Sequence, residues 1–283
     1  MIEVSDPESL AEVADWVELS VCVSRSSLSK AEVASTIEGT AGREPSEGFI
    51  SSVWRELERR ERLYLRSFFH VEARLVEPGD GCELPEYLAC LLLSLYGAQE
   101  CAHTPAKLFE RLSREAISSY LSGQAVVFGW PFDLSVGPNQ PEQSQIERRI
   151  REVAEDLGER LSKPPPPRFN DRGLDVVGWI PFVDKRSSQI VVLMQSTIQR
   201  NWKDKLPVPL LAWCQYVHWG CTPVKAFAIP RIVADYDWHE TSVDKGMLFD
   251  RIRIVNLLSD GARDISFRNE LTAWVERRLS DLD

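Results

Sequence analysis

The chain lacks several signatures that would assign it to a class at once. It has no apolar run of the ~20 residues that a membrane-spanning helix needs, and its first residues are acidic rather than signal-like. We therefore expect a cytoplasmic protein without a membrane partner. There is no G-x-S-x-G elbow and no glycine-rich phosphate loop, which argues against a serine hydrolase, an ATPase or a dinucleotide enzyme.

Cysteine and histidine are sparse and poorly arranged for metal binding. The six cysteines include no C-x-x-C pair, and without a secretory signal we expect them to be reduced thiols. Cys214, His218 and Cys221 are spaced so that one helix could present all three to zinc. The neighbouring Trp213 and Trp219 make packing in a core the stronger interpretation.

Positively charged residues are fewer than negatively charged ones: the chain has 33 lysines and arginines and 43 acidic residues, which gives a net charge of −10. Such a chain is not an indiscriminate nucleic-acid binder, although a local basic surface is compatible with it. Two basic groups stand out, and each is equally compatible with a solvated surface. They are Arg55, Arg59, Arg60, Arg62 and Arg66, and Lys185, Arg186, Arg200, Lys203 and Lys205.

The first 80 residues are predicted to form a helical domain. Leu10, Val13, Ala14 and Val17 repeat at helical spacing, Ser29 and Glu32 have capping-box spacing, and Phe49–Arg66 is a charged helix. An extended segment, Phe68–Pro78, follows. This layout resembles a winged helix-turn-helix, a fold that binds DNA in some proteins and other proteins in many more.

Residues 81–283 are predicted to form a second, α/β domain. Its expected helices are Glu83–Gly97, which is apolar nearly all round, Pro105–Leu121, Ser144–Leu161, Pro207–Trp219 and residues 264–282. Its expected strands include Gln124–Trp130, Ala226–Ala234 and Arg251–Leu257. The four-proline run Pro164–Pro167 is expected to be an extended spacer.

The most informative stretch is Gly173–Lys205. Two short apolar runs, separated by a polar turn, carry Asp175 at the start of the first and Gln195 at the end of the second. This pattern predicts a β-hairpin with polar side chains where a sheet normally buries apolar ones. Oxygen ligands on adjacent strands suit Mg²⁺, which supports phosphodiester cleavage.

Gly173-Leu174-Asp175 and the later Gln195-Ser196-Thr197 resemble the core of the PD-(D/E)xK nuclease superfamily, nearest to Mrr-like restriction endonucleases. In that family a G-x-D strand precedes a strand ending in (E/Q)-x-K. Gln195 replaces the commoner acid, and Thr197 stands where the family has Lys. The resemblance implies an α/β (α+β) fold, with a restriction-endonuclease-like mixed sheet flanked by helices.

The resemblance also implies roles for individual residues. Asp175 and Gln195 would hold Mg²⁺ or Mn²⁺, and Lys203 or Lys205 would supply the cation that is missing at Thr197. The pair Phe109-Glu110 resembles the Phe-Glu of the helix that opens the Mrr-like core, so Glu110 would help to hold the metal or its water. An exposed Glu110 opposite Arg114 at i+4 is an equal alternative.

Nucleic acid, by preference DNA, is the expected substrate. Its candidate contacts are Arg59, Arg62, Arg200 and Trp202, the last by stacking, although core packing is the default for any tryptophan. The expected function is metal-dependent cleavage in bacterial antiphage defence, with a protein partner or a homo-oligomer. The alternative is a nuclease-like binding subunit that no longer cuts.

Overall fold

Helices and strands alternate along the chain in the computed structural model, which describes residue 4 and residues 6–97, 104–129, 142–165 and 171–282. Within these residues the helices are α1 (Leu10–Ser24), α2 (Lys30–Ala41), α3 (Glu47–Leu63), α4 (Pro85–Tyr96), α5 (Thr104–Leu121), α6 (Glu142–Asp156), α7 (Leu210–Trp213), α8 (Asp235–Lys245), α9 (Arg251–Leu257) and α10 (Ile265–Ser280). The strands are β1 (Leu28–Ser29), β2 (Phe69–Val71), β3 (Leu75–Pro78), β4 (Gln124–Val127), β5 (Arg160–Leu161), β6 (Val176–Ile180), β7 (Ile190–Ser196), β8 (Val217–His218), β9 (Val224–Ala228) and β10 (Met247–Phe249). The protein is a mixed α and β structure, as the sequence predicts.

The N-terminal part contains three helices and a small antiparallel sheet in the order β1-β3-β2. Helix α2 begins with the predicted capping box, since the Ser29 side chain accepts from the Glu32 N–H and the Glu32 carboxylate accepts from the Ser29 N–H. The segment Phe68–Pro78, predicted to be extended, contains the β2–β3 hairpin.

The larger sheet has five strands in the order β10-β9-β7-β6-β4. Strands β4, β6 and β7 are antiparallel neighbours, whereas β7, β9 and β10 are parallel. In the predicted β6–β7 hairpin Val176 pairs with Met194 and Ile180 pairs with Ile190. The start of β6 and the end of β7 therefore lie side by side at one end of the sheet.

Both faces of this sheet are covered. Val176, Val192 and Met194 belong to an apolar core that includes residues of α4, α5, α9 and α10. Val177 and Leu193, on the opposite face, pack with residues of α6 and the α7 region. This alternation has the period of two that a buried strand imposes. Helix α4 is buried along nearly its whole length, as its all-round apolar sequence predicts.

The first core does not stop at residue 80. Val13 and Leu57, from the predicted N-terminal domain, belong to the same cluster as Ile254 and Trp274 near the C-terminus. The division into domains 1–80 and 81–283 stays a prediction, and the two parts share one apolar interior.

A buried ionic cluster, made of Asp15, Glu18, Arg60 and Arg251, crosses this shared interior. Arg60 Nη1 lies 2.7 Å from both Asp15 Oδ1 and Glu18 Oε1, and Arg251 Nη2 lies 2.7 Å from Asp15 Oδ1. Burial alone would raise the pKa of Asp15, but the charges of Arg251 and Arg60 outweigh it and hold that pKa below its usual value. The cluster joins α1, α3 and α9.

Two predicted elements are wrong. Arg251–Leu257, expected to be a strand, is helix α9, capped by the Asp250 carboxylate, which accepts from the Arg253 N–H. The alternation of apolar and polar residues in this segment fits a strand, but a run this short does not distinguish a strand from a helix. In the folded protein Arg251 belongs to the ionic cluster. Pro207–Trp219, expected to be a helix, contains only the short α7 before β8.

The cysteine prediction also needs correction. Cys22, near the end of α1, forms a disulfide with Cys82, just before α4, across a separation of 60 residues. Cys90 is free and buried, whereas Cys214 and Cys221 are free and exposed. Cys101 lies outside the described residues. In the described part of the chain, no helix is long and apolar enough to cross a membrane.

The ionic cluster generates a test of stability. Arg60→Met should lower the free energy of unfolding by about 3–5 kcal/mol, because it leaves buried carboxylates without their partner. Arg62→Met, on the exposed side of the same helix, is the matched control and should change stability by less than about 0.5 kcal/mol. Urea denaturation at pH 7 measures both, and equal effects of the two changes would contradict the role assigned to the cluster.

Candidate functional site

Asp175 is fixed at the junction of three strands. Its N–H donates to the Met194 carbonyl (3.0 Å), and its carbonyl accepts from the N–H groups of Phe128 (2.7 Å) and Gly129 (3.1 Å). Its Oδ2 accepts from the Ser196 N–H at 2.7 Å. The carboxylate is therefore held by backbone at the end of the sheet, and no arginine pairs with it among the described residues.

Gln195 lies across from Asp175 when the β6–β7 register is continued by one residue. Its side chain packs against Gly173, where an added Cβ would lie 2.5 Å from Gln195 Nε2. Gly173 also has a φ of 74°, which favours glycine. Gln195 Oε1 is buried and accepts no hydrogen bond from the described residues. Glycine two residues before the acid thus makes room for the amide.

Glu110, on α5, reaches the same end of the sheet. Its carboxylate lies so close to Gly129 that an added Cβ there would be 2.5 Å from Glu110 Oε2. Its partner is Lys107, whose Nζ lies 2.9 Å from Oε2. The alternative pairing with Arg114 does not occur, because Arg114 binds Glu115 and Asp264. Glu110 is buried rather than exposed.

The carboxylates repel one another. Burial raises the pKa of Asp175 well above its usual value, and the nearby charges of Glu110 and Asp171 raise it further, against the lowering effects of the Ser196 N–H and Lys205. Burial likewise raises the pKa of Glu110, with Lys107 opposing it. Carboxyl groups with raised pKa values in one place are typical of functional sites.

Asp171 is the residue that sequence reasoning missed. Its carboxylate accepts from the Gly173 N–H at 3.0 Å, and its carbonyl accepts from the Leu174 N–H at 2.9 Å. Its charge acts on both Asp175 and Glu110. The available signal was its position four residues before Asp175, just ahead of the turn at Arg172–Gly173.

The two candidate lysines have different partners. Lys203 does not pair with Asp175 or Glu110, since its Nζ pairs with Asp237 on α8 at 2.6 Å. Lys205 is half-buried, and its charge acts on Glu110 and Asp175. Thr197, at the family's lysine position, is buried, donates its N–H to the Ala228 carbonyl and accepts at Oγ1 from the Gln199 N–H. Of the two lysines, Lys205 is thus the one whose charge acts on the carboxylates.

The candidate nucleic-acid contacts have different surroundings. Arg59 binds Glu56 on its own helix and Asp235 on α8, whereas Arg62 is exposed. Arg200 is partly exposed and pairs with Glu12 at 3.2 Å. Trp202 is only 7% exposed and lies 6.4 Å from Phe227, centroid to centroid. Trp202 is therefore a core residue in this structure and does not present a stacking face.

The zinc alternative loses its geometric basis. Cys214 follows the last residue of α7, and His218 lies in β8, so Cys214, His218 and Cys221 do not share a helix face. More generally, no group of three His, Cys, Asp or Glu side chains in the described ranges is arranged to hold a metal ion.

Three side chains bring oxygen atoms together at this end of the sheet: Asp175, Glu110 and Gln195. They suit a hard divalent cation only if the Gln195 amide oxygen is one of the ligands. Asp175 and Gln195 would hold Mg²⁺ or Mn²⁺, with Glu110 beside them. A buried amide oxygen without a donor and two carboxylates with raised pKa values would all be satisfied by such a cation, which keeps several waters. A divalent cation with its waters is therefore the kind of ligand that the donors at this end of the sheet would suit.

Comparisons of the chain with protein-family models, curated proteins and solved structures found no match.

The raised pKa of Asp175 generates a prediction about stability. Because the pKa of Asp175 is raised in the folded state, this group destabilises the fold above the usual carboxyl range of pH. The cost declines as the pH falls below the raised pKa and is gone below the usual pKa of an aspartate. Asp175→Asn keeps an oxygen for the Ser196 N–H and removes the charge. It should therefore raise the free energy of unfolding by about 1 kcal/mol or more at pH 8 in EDTA.

The same gain should shrink as the pH is lowered toward 4. With Mg²⁺ at tenfold its dissociation constant, the wild type should gain about 1.4 kcal/mol that the variant does not gain, so the difference between the two should shrink by that amount. Thermal unfolding across pH, with and without Mg²⁺, measures both effects. An Asp175→Asn protein that is less stable than the wild type at pH 8 in EDTA would contradict the electrostatic account.

Proposed function

We propose that the protein is a metal-dependent endonuclease, acting on nucleic acid and by preference on DNA, with a restriction-endonuclease-like catalytic fold. The observation that carries the proposal is the meeting of Asp175, Gln195 and Glu110 at one end of the five-stranded sheet, where the charge of Lys205 acts on the two carboxylates. Glu110 lies on α5, Asp175 immediately precedes β6, Gln195 lies in β7, and Lys205 follows the turn after β7. Local sequence patterns do not require these residues to meet.

The order of elements supports the proposal. A helix bearing Phe109-Glu110 precedes the first strand of the sheet, the Gly173-x-Asp175 segment leads into β6, and β7 carries Gln195 near its end. This is the order that the PD-(D/E)xK resemblance implies. Helices α1–α3 followed by the β2–β3 hairpin fit the winged-helix layout in the same way.

Each residue has a role in the proposed mechanism. A bound Mg²⁺ would supply positive charge to the phosphate and make its bound water easier to deprotonate. Asp175 and Gln195 would hold the metal, and Glu110 would orient its water. Lys205 stabilises the negative charge that develops on the phosphate during cleavage. Repulsion between the carboxylates keeps the site ready to accept a cation.

Specific observations favour the second candidate, a nuclease-like binding subunit that does not cut. Thr197 replaces the family's lysine, the net charge is −10, and Arg59 is already neutralised by Glu56 and Asp235. In that case the exposed Arg62 would serve a protein partner rather than phosphate. The defence role, the cytoplasmic location and the oligomeric partner remain part of the proposal in both forms.

The enzyme proposal predicts cleavage that depends on Asp175. The wild type should cut plasmid, linear or single-stranded DNA in Mg²⁺ or Mn²⁺ but not in EDTA, and Asp175→Ala should lower the rate by about 100-fold or more. Asp184→Ala is the matched control, because Asp184 is an exposed acid in the turn at the opposite end of β6.

Asp184→Ala should cut like the wild type. Metal-dependent cleavage that survives Asp175→Ala would refute the site. Absence of cleavage on every substrate, with a correctly folded protein that still binds Mn²⁺, would favour the binding subunit.

Gln195→Glu tests the second ligand. A carboxylate binds a hard cation better than an amide, so the Mg²⁺ concentration for half-maximal activity should fall, by roughly tenfold for 1.4 kcal/mol of added binding. If Gln195 is only structural, the new charge is buried without a partner and the melting temperature drops with no recovery in Mg²⁺. Thermal unfolding and metal titration of the same variant separate the two results.

A further inference from the structure

Lys245 is a buried lysine that the proposed mechanism does not use. It is the last residue of α8 and only 4% exposed. Lysines are rarely buried to this extent unless their ammonium group is paired. Its Nζ donates to the backbone carbonyl of Lys203 at 3.0 Å and to that of Lys205 over a shorter distance. It also pairs with Asp244 Oδ2 at 2.8 Å and lies 5.7 Å from the centre of the Phe227 ring.

The two carbonyls belong to the turn that carries Lys205. This turn is a 3-10 helix, Trp202–Asp204, in which the Asp204 N–H donates to the Asn201 carbonyl and the Lys205 N–H donates to the Trp202 carbonyl. Phe227, which Lys245 contacts, pairs directly with Gln195 between β9 and β7. The Lys245 ammonium therefore connects the backbone at Lys205 to the strand next to the site.

The position of this backbone decides where the Lys205 side chain can reach. The ammonium group of a lysine sits on a flexible four-carbon stem, so its position is accurate only if the Cα is fixed. An error of ~1 Å in the position of a catalytic group can cost ~100-fold in rate. Within the turn Trp202 is buried, whereas Lys203 and Asp204 are exposed and Lys203 pairs through its side chain with Asp237.

We propose that Lys245 is a positioning residue for phosphodiester cleavage: its ammonium holds the carbonyls of Lys203 and Lys205 and so fixes the backbone from which the Lys205 side chain extends. The inference rests on the proposed nuclease function. It assigns to Lys245 an effect on the reaction that passes only through Lys205, which distinguishes it from a general contribution to folding.

The test compares Lys245→Met with a matched lysine. Lys225, on β9, donates to the Val243 and Asp244 carbonyls at the end of the same helix but does not contact the turn at 203–205. Lys245→Met should lower kcat at least tenfold with KM for DNA within twofold. Lys225→Met should keep both within twofold of the wild type.

A double-mutant cycle decides whether the effect passes through Lys205. In a Lys205→Ala background, Lys245→Met should reduce kcat by less than a further twofold. Amide hydrogen exchange gives a readout without cleavage: protection of the Asp204 and Lys205 N–H groups should fall at least tenfold in Lys245→Met and stay unchanged in Lys225→Met. If the methionine variant does not fold, Lys245→Gln replaces it, because glutamine can still donate to a carbonyl. Its losses in kcat and in amide protection should have the same direction and a smaller size.

The outcomes are separable from those that test the nuclease proposal. A wild type that does not cleave overturns the function and this inference with it. A wild type that cleaves, needs Asp175 and Lys205, and is unaffected by Lys245→Met overturns the inference alone. Losses of equal size in the wild-type and Lys205→Ala backgrounds would show that Lys245 acts on stability instead of on Lys205.

Discussion

The structure depends on one buried ionic cluster. Asp15 and Glu18 on α1 bind Arg60 on α3 and Arg251 on α9, with N–O distances between 2.7 and 3.2 Å. Such a cluster gains little over an apolar core of the same shape, because removing four charges from water is costly. Its effect is on specificity: these charges are satisfied in only one arrangement of the three helices. That arrangement sets the N-terminal helices against the helices behind the five-stranded sheet.

A second group of buried charges behaves in the opposite way. In the ionic cluster the arginines outweigh the cost of burial, and the pKa of Asp15 falls. At the end of the sheet the lysines do not outweigh it, and the pKa values of Asp175 and Glu110 rise. The first group is balanced in charge, with two carboxylates and two guanidinium groups, whereas the second is short of positive charge. This difference in charge balance is the physical reason to assign structure to one and function to the other.

Local signals predicted much of the fold and one half of the site. The α2 capping box, the apolar helix α4 and the β6–β7 hairpin with Asp175 and Gln195 follow from patterns within a few residues of one another. Long-range contacts could not be predicted. The segment with Arg251 has the pattern of a strand until the partners of Arg251 on α1 are known. Arg114 binds the distant Asp264 instead of Glu110. The Cys22–Cys82 disulfide and the charge of Asp171 at the site are likewise set by tertiary packing.

The replacement of lysine by Thr197 does not by itself decide between an enzyme and a binding subunit. Position 197 is buried against the backbone of β9, and Lys205, after the next turn, supplies a positive charge that acts on the carboxylates. A sheet end with no role beyond packing would be more stable with apolar side chains in place of Asp175 and Gln195, since a buried amide oxygen without a donor is costly. Two repelling carboxylates add to that cost. A bound cation would offset both costs, the unpartnered amide oxygen and the repulsion between the carboxylates. This argument favours a cation-binding site over a nuclease-like fold without a metal site.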